Sequence, residues 1–350
     1  MSIISTYQLT KTYGNQAALS NFTLQISEGE IFGLLGPANS GKTTFLRILA
    51  GLVTPTEGEF SILGLSPKTD LRRILSVTGV VTETAKFYPD MTVDENLRFY
   101  AGLHEVGTDD AIDRISFLLH NLNIWEYRDI AAKHLPTNAM QRANIARALV
   151  HSPKVLLLDE PTMMMDRETT ESVQYIIDYI AQQEGVTSLI CTRYPEHAES
   201  ICTQFGIINQ AELMIKGDFE KLRVASGLRY QAELHITPDS LLPVGFRHEA
   251  GVWRKKIQKE EDMPAIIADA ISHGCKIYEA KILRPSLTEI CDSFISGQYL
   301  ENDLPQNQFE ELQDYNEWQD IDFDADLEEN EENRQESLPI IEPEGADTIE

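Results

Sequence analysis

Apolar positions along the chain change period several times, and each change marks an element. Residues 22–26, FTLQI, alternate apolar and polar as a half-buried strand does, and EIFGLLG is a short apolar run stopped by glycine. Residues 1–35 therefore read as strands. From about residue 92 to 128, TVDENLRFYAGL and AIDRISFLLHNLNI have helical spacing, with Thr92 as N-cap and Glu95 completing a capping box. KVLLLDE and SLICT read as buried strands separated by the helical TTESVQYIIDYIAQQ. Strands alternating with helices predict a mostly parallel α/β sheet.

Near residue 225 the pattern changes. RYQAELHI, GVWRKKIQ and CKIYEAKI read as strands, and DMPAIIADAISHG and SLTEICDSFIS as helices, which together predict a small α+β domain. Beyond 300 the chain is acidic, rich in Asn and Gln and poor in apolar anchors, so it is expected to be disordered. A plain solvated tail is the favoured reading, with Trp318, Phe323 and the LPII stretch offering a docking motif for a partner as the lesser alternative.

Charge sharpens that division. The 350 residues carry 29 Lys or Arg against 56 Asp or Glu, a net of −27. Residues 301–350 hold 19 acidic residues and one basic residue, Arg334, a net of −18 that leaves −9 for residues 1–300. A mildly acidic body with no basic stripe argues against nucleic acid as a partner. The four cysteines, Cys191, Cys202, Cys275 and Cys291, are scattered, which fits buried thiols in a reducing compartment better than disulfides or zinc. No signal-peptide core opens the chain and no apolar run nears the 18 or so residues of a spanning helix, so any membrane role is expected to pass through a partner.

The sharpest chemistry lies in GPANSGKTT, which matches G-x-x-x-x-G-K-[ST] at Gly36, Gly41, Lys42 and Thr43. Backbone N–H groups can wrap phosphates only where side chains do not intrude, hence the glycines; Lys42 would reach the β- and γ-phosphates and Thr43 would ligate Mg²⁺. A strand before the loop and the helical TTFLRILAGL after it supply the context this mechanism requires. KVLLLDE then ends in Asp159, placed to hold the metal, and Glu160, placed to polarise a water.

Taken in order, these residues resemble the ATP-binding subunit of an ABC transporter, over about residues 3–225. The resemblance implies an α/β, P-loop ABC-type nucleotide-binding domain with a mixed core sheet, an antiparallel β subdomain and a helical subdomain. A small α+β C-terminal domain and a disordered acidic tail would follow. The expected boundaries are 1–225 for the ATP-binding domain, with its helical subdomain at about 85–140, then 226–297 and 298–350. It implies ATP on Tyr13, which would stack on adenine, and on Gly36, Pro37, Ala38, Asn39, Ser40, Gly41, Lys42, Thr43 and Thr44. Mg²⁺ would sit on Thr43, Asp159 and the Q-loop position, Glu83. PDMTVDENLRFYAGL resembles the start of the helical subdomain, which receives the coupling helices of a membrane permease. PSLTEICDSF resembles the close of a C-terminal extension typical of ATPases serving drug-, sodium- or polysaccharide-export permeases.

The departures from the family pattern cluster. The LSGGQ signature, which faces the ATP of a dimer partner, aligns with Leu135, Pro136, Thr137, Asn138 and Ala139. Pro136 lacks both a hydroxyl and an N–H, and Thr137 and Asn138 place side chains where glycines would sit. Thr137 or Asn138 is nevertheless expected to cap the following helix. The switch histidine aligns with Arg193, a permanent cation of different shape, while His197 one turn later reads as a surface residue. Glu83 stands for glutamine, and the D-loop keeps Asp166 but carries methionines, Met163 to Met165, before it. With Glu160, Arg193 and Glu83 as the catalytic set, the implied function is an ATP-binding subunit of an exporter whose hydrolysis is weak or partner-dependent. It would work on the inner face of the cell membrane as a homodimer or heterodimer. The competing expectation is a nucleotide-dependent regulator or scaffold that does not power transport.

Overall fold

The computed structural model describes residues 2–82, 87–163, 165–236, 245–249 and 252–299. Glu83, Met164 and the acidic tail beyond Tyr299, with its docking motif, lie outside the described residues.

The chain opens with β1 (Ser2–Tyr13) and β2 (Gln16–Ser27), a hairpin turned at Gly14 and Asn15, then β3 (Ile31–Leu35). Helix α1 (Lys42–Leu49) follows, then β4 (Glu57–Ile62), α2 (Pro67–Ser76) and β5 (Thr78–Val81). Three helices come next, α3 (Val93–Leu103), α4 (Thr108–Asn121) and α5 (Thr137–Leu149). The chain then alternates through β6 (Val155–Asp159), α6 (Arg167–Glu184), β7 (Thr187–Thr192), α7 (Pro195–Glu199) and β8 (Gln204–Asn209). Strand β9 (Glu212–Gly217) and α8 (Phe219–Ser226) complete this part.

The main sheet has the order β5-β6-β7-β3-β8-β9, parallel except for β9. Strands β3, β6 and β7 are buried at every residue, which is why they read as continuous apolar runs rather than alternating ones. A second, antiparallel sheet has the order β2-β1-β4, and α1 lies between the two. Phe22 of β2 and Phe45 of α1 meet with ring centroids 4.5 Å apart, in a core that continues through Ile48 to Leu157 and Leu189. Helix α1, which carries the phosphate loop, is therefore clamped on both sides.

The capping box expected at Thr92 is present: Glu95 N donates to Thr92 Oγ1 (3.1 Å) and Thr92 N to Glu95 Oε2 (2.8 Å). Helix α5 packs on α3, α4 and β5 and shows little amphipathicity because it is buried nearly all round. Arg142 stays inside by donating to the carbonyls of Leu122 (3.0 Å) and Asn123 (2.8 Å), closing the C-terminus of α4. The cap expected from Thr137 or Asn138 is not formed. Pro136 occupies the N-cap position and Thr137 and Asn138 fall inside the first turn, so no side chain caps α5.

The last part holds β10 (Tyr230–Ile236), β11 (Arg247–Glu249), β12 (Val252–Ile257), α9 (Met263–Ser272), β13 (Ile277–Leu283) and α10 (Leu287–Ile295). The strands form an antiparallel sheet, β11-β12-β10-β13, with its own core of Leu234, Ile257 and Ile266 under α9. Helix α10 packs instead on α7 and α8, where Leu287 N donates to Glu199 Oε2 (3.1 Å).

Candidate functional site

The phosphate loop leaves β3 at Leu35 and enters α1 at Lys42. Its glycines are demanded by neighbouring backbone. A Cβ on Gly36 would stand 2.1 Å from the Ile208 carbonyl oxygen, and one on Gly41 2.3 Å from that of Ala18. Gly41 also has φ of 116°, which a side chain rarely adopts. Motif spacing assigns these glycines to phosphate access alone; the fold adds that the loop can pack against β8 and β2 only without side chains there.

Lys42 is buried, and its Nζ donates to the carbonyls of Gly36 (2.7 Å) and Pro37 (2.8 Å) and to Ser40 Oγ (3.3 Å). Burial lowers its pKa, while Asp159 and Glu160 pull the other way, so an anion arriving here meets an under-solvated ammonium. A cleft of about 580 Å³ opens beside the loop. It is lined by Tyr13 and the start of β2, and by Asn39 through Thr44 and Arg47. Tyr13, at the tip of β1, is half exposed with Lys11 Nζ 5.1 Å from its ring centroid. Its ring is thus available at the cleft edge for stacking. Pro37 is half-buried and Ala38 exposed on the loop.

Strand β6 brings Asp159, buried, to the same end of the sheet, in register with Cys191 of β7. Glu160 follows in a left-handed conformation with φ of 48°. Its N–H donates to the Cys191 carbonyl (2.9 Å), and its two carboxylate oxygens accept from Thr192 Oγ1 (2.8 Å) and Arg193 N (3.0 Å). Of the expected metal ligands, Thr43 and Asp159 offer oxygen donors, the kind that suits a hard divalent cation such as Mg²⁺, and Glu83 lies outside the described residues.

Arg193 is exposed, with its guanidinium against Met163 Sδ (3.7 Å) and 5.0 Å from the Tyr194 ring centroid. His197 is half-buried and its Nδ1 lies 3.0 Å from Thr162 Oγ1, so the surface reading of this residue is corrected. Asp166 is the N-cap of α6, and its acceptance of the Thr169 N–H (2.8 Å) holds its pKa low. Of the signature positions, Leu135 and Asn138 are half-buried, Pro136 and Thr137 exposed and Ala139 buried. Cys191 and Thr192 carry no motif spacing that sequence reasoning could use; their place follows from the pairing of β6 with β7, and that of Thr162 from its contact with His197.

Parts of this chain are similar to known proteins. Residues 19–163 match the family model described as ABC transporter. The bacitracin transport ATP-binding protein BcrA of Bacillus licheniformis is 32% identical over 225 residues, 63% of this chain and 72% of that protein. The linearmycin resistance ATP-binding protein LnrL of Bacillus subtilis is 28% identical over 299 residues, 81% of this chain and 94% of that protein. A dimeric ATP-binding cassette solved in a post-hydrolysis state with ADP and Pi superposes with a TM-score of 0.57 at 26% identity, covering 61% of this chain and 98% of that one. The chain spans less than two thirds of the length of several other curated relatives it matches.

Proposed function

We propose that this chain, which belongs to the ABC transporter family of ATP-binding proteins, binds Mg-ATP and serves a separate membrane permease of the export type while hydrolysing ATP slowly on its own. One observation carries the reading. The residues this reading assigns to the chain's own nucleotide, Tyr13, Lys42, Thr43, Asp159 and Glu160, are of the types the chemistry calls for, whereas the start of α5 that would serve a dimer partner's ATP has Pro136 at its N-cap position and no capping side chain.

In this reading Tyr13 stacks on the base, the loop N–H groups and Lys42 hold the β- and γ-phosphates, and Thr43 and Asp159 hold Mg²⁺, with Glu83 as a further ligand. The metal would polarise the γ-phosphate, and Glu160 would take the proton of an attacking water. Pro136 offers neither N–H nor hydroxyl, and removing one preorganised donor costs roughly 10²–10³-fold in rate. Arg193 in place of an imidazole removes a group that can both donate and accept. Tyr88, just ahead of α3, joins Phe99 and Leu103 of that helix in an exposed apolar face suited to the permease. Export is supported by the drug-related names of BcrA and LnrL. Among the described residues no helix is long and apolar enough to cross a membrane, so a distinct permease is part of the proposal.

Mg-ATP should raise the melting temperature of the purified chain, since ligand binding to the folded state stabilises it. Steady-state turnover of the wild type should sit close to background, and in single turnover, where the residual rate is resolved, Glu160→Gln should be slower still. Robust turnover abolished by Glu160→Gln would overturn the slow-hydrolysis reading, and no thermal shift would remove ATP binding itself.

A further inference from the structure

We infer that Thr192 is a positioning residue for hydrolysis: its hydroxyl fixes the orientation of the Glu160 carboxylate. The inference rests on the reading of Glu160 as the group that accepts the proton of water. Glu160 sits one residue beyond the end of β6, in a left-handed backbone conformation that a residue with a Cβ adopts only when its surroundings impose it. Three contacts from the end of β7 impose it. The Glu160 N–H donates to the Cys191 carbonyl, Arg193 N donates to Oε1, and Thr192 Oγ1 donates to Oε2 at 2.8 Å.

The direction of the Thr192 bond is itself set. Tyr194 N donates to Thr192 Oγ1 (3.1 Å), so the hydroxyl accepts there and directs its own proton to the carboxylate. Thr192 is 2% exposed, which leaves its hydroxyl no bulk water as an alternative partner. Of the two donors on the carboxylate, the Arg193 N–H belongs to the backbone and survives any side-chain change. The hydroxyl is therefore the one side-chain determinant of carboxylate orientation among these contacts. Each oxygen accepts one bond from the protein and keeps a lone-pair direction for water. A carboxylate so held neither rotates about its last bond nor swings from the site, and small misplacements at a reacting centre cost up to about a hundredfold.

The test is single-turnover hydrolysis of γ-labelled ATP with the full chain in excess, alongside the dissociation constant for Mg-ATP. Thr192→Val keeps the shape and removes the hydroxyl; Thr192→Ala removes it without branching; Thr192→Ser keeps it. We expect Thr192→Val and Thr192→Ala each to slow the chemical step roughly ten- to a hundredfold with nucleotide affinity changed less than about twofold. Thr192→Ser should restore the wild-type rate. If Thr192→Val matches the wild type while Glu160→Gln is slower, the inference falls and the reading of Glu160 stands. If Thr192→Ser is as slow as Thr192→Val, packing rather than the hydroxyl matters, and the inference falls. Equal rates in the wild type, Thr192→Val and Glu160→Gln overturn both.

Discussion

Helices α1 and α5 both begin without a side-chain cap, yet their first turns have opposite settings. The start of α1 is buried between two sheets, led in by Gly41 in a conformation only glycine favours, with Lys42 folded into the loop. The start of α5 is at the surface, led in by Pro136 with Thr137 exposed beside it. Uncapped N–H groups and the helix dipole are common to both, so under the proposed reading they do not by themselves make a phosphate site. What separates the two is the preceding loop. One supplies backbone donors and an ammonium, and the other supplies an imide nitrogen with no hydrogen and two side chains in the way.

Removing the ammonium breaks this contrast most sharply. Lys42→Ala should abolish the Mg-ATP thermal shift and weaken nucleotide binding about tenfold to a hundredfold, read by calorimetry, since charged hydrogen bonds contribute about 1.5–3 kcal/mol. Unchanged affinity would show that the loop backbone alone suffices. The converse change rebuilds the weaker site. Pro136→Ser with Thr137→Gly and Asn138→Gly should raise turnover at least about tenfold if lost donors limit hydrolysis. No gain would move the defect to Arg193.

A third measurement uses a region away from both. His104 and His151 stack with ring centroids 3.8 Å apart where the end of α3 meets the end of α5. Burial lowers both pKa values, and for His151 burial followed by the neighbouring His104 brings it to about 4. A histidine held below its unfolded value of about 6.5 stabilises fully above that pH, and the contribution is lost as pH falls toward 4. Between pH 7 and 4.5 the wild type should lose on the order of 2 kcal/mol more than His151→Phe, measured by urea unfolding at each pH. Parallel losses would show that the pair titrates normally. The smallest effect concerns glycine itself. Gly102, in α3, has open space within 4 Å of where a Cβ would stand, so Gly102→Ala should stabilise by about 0.5–1 kcal/mol in thermal melts. Gly41→Ala, facing the Ala18 carbonyl, should do the reverse.

Much of the site was legible because its parts are local. The spacing of Gly36, Gly41, Lys42 and Thr43, and Asp159 ending an apolar run, need only a strand, a turn and a helix start to acquire meaning. The capping box at Thr92 and Glu95 was legible for the same reason. The cap expected at Thr137 or Asn138 failed because helix-start preferences do not say which residue comes first, and Pro136 took the position. His197 read as a surface residue because nothing nearby in sequence announces Thr162 as its partner, 35 positions away.

The sequence by itself determined the local chemistry: which loop has the spacing of a phosphate cradle, which strand ends in carboxylates, and where Pro136 and Arg193 stand along the chain. Only the tertiary structure decided that Gly36 and Gly41 answer to the Ile208 and Ala18 carbonyls, and that β7 grips Glu160 through Thr192. The physical reason is range. Backbone preference and motif spacing act over a few residues, whereas close approach and hydrogen-bond partnership across a parallel sheet join residues that only the packed chain brings together.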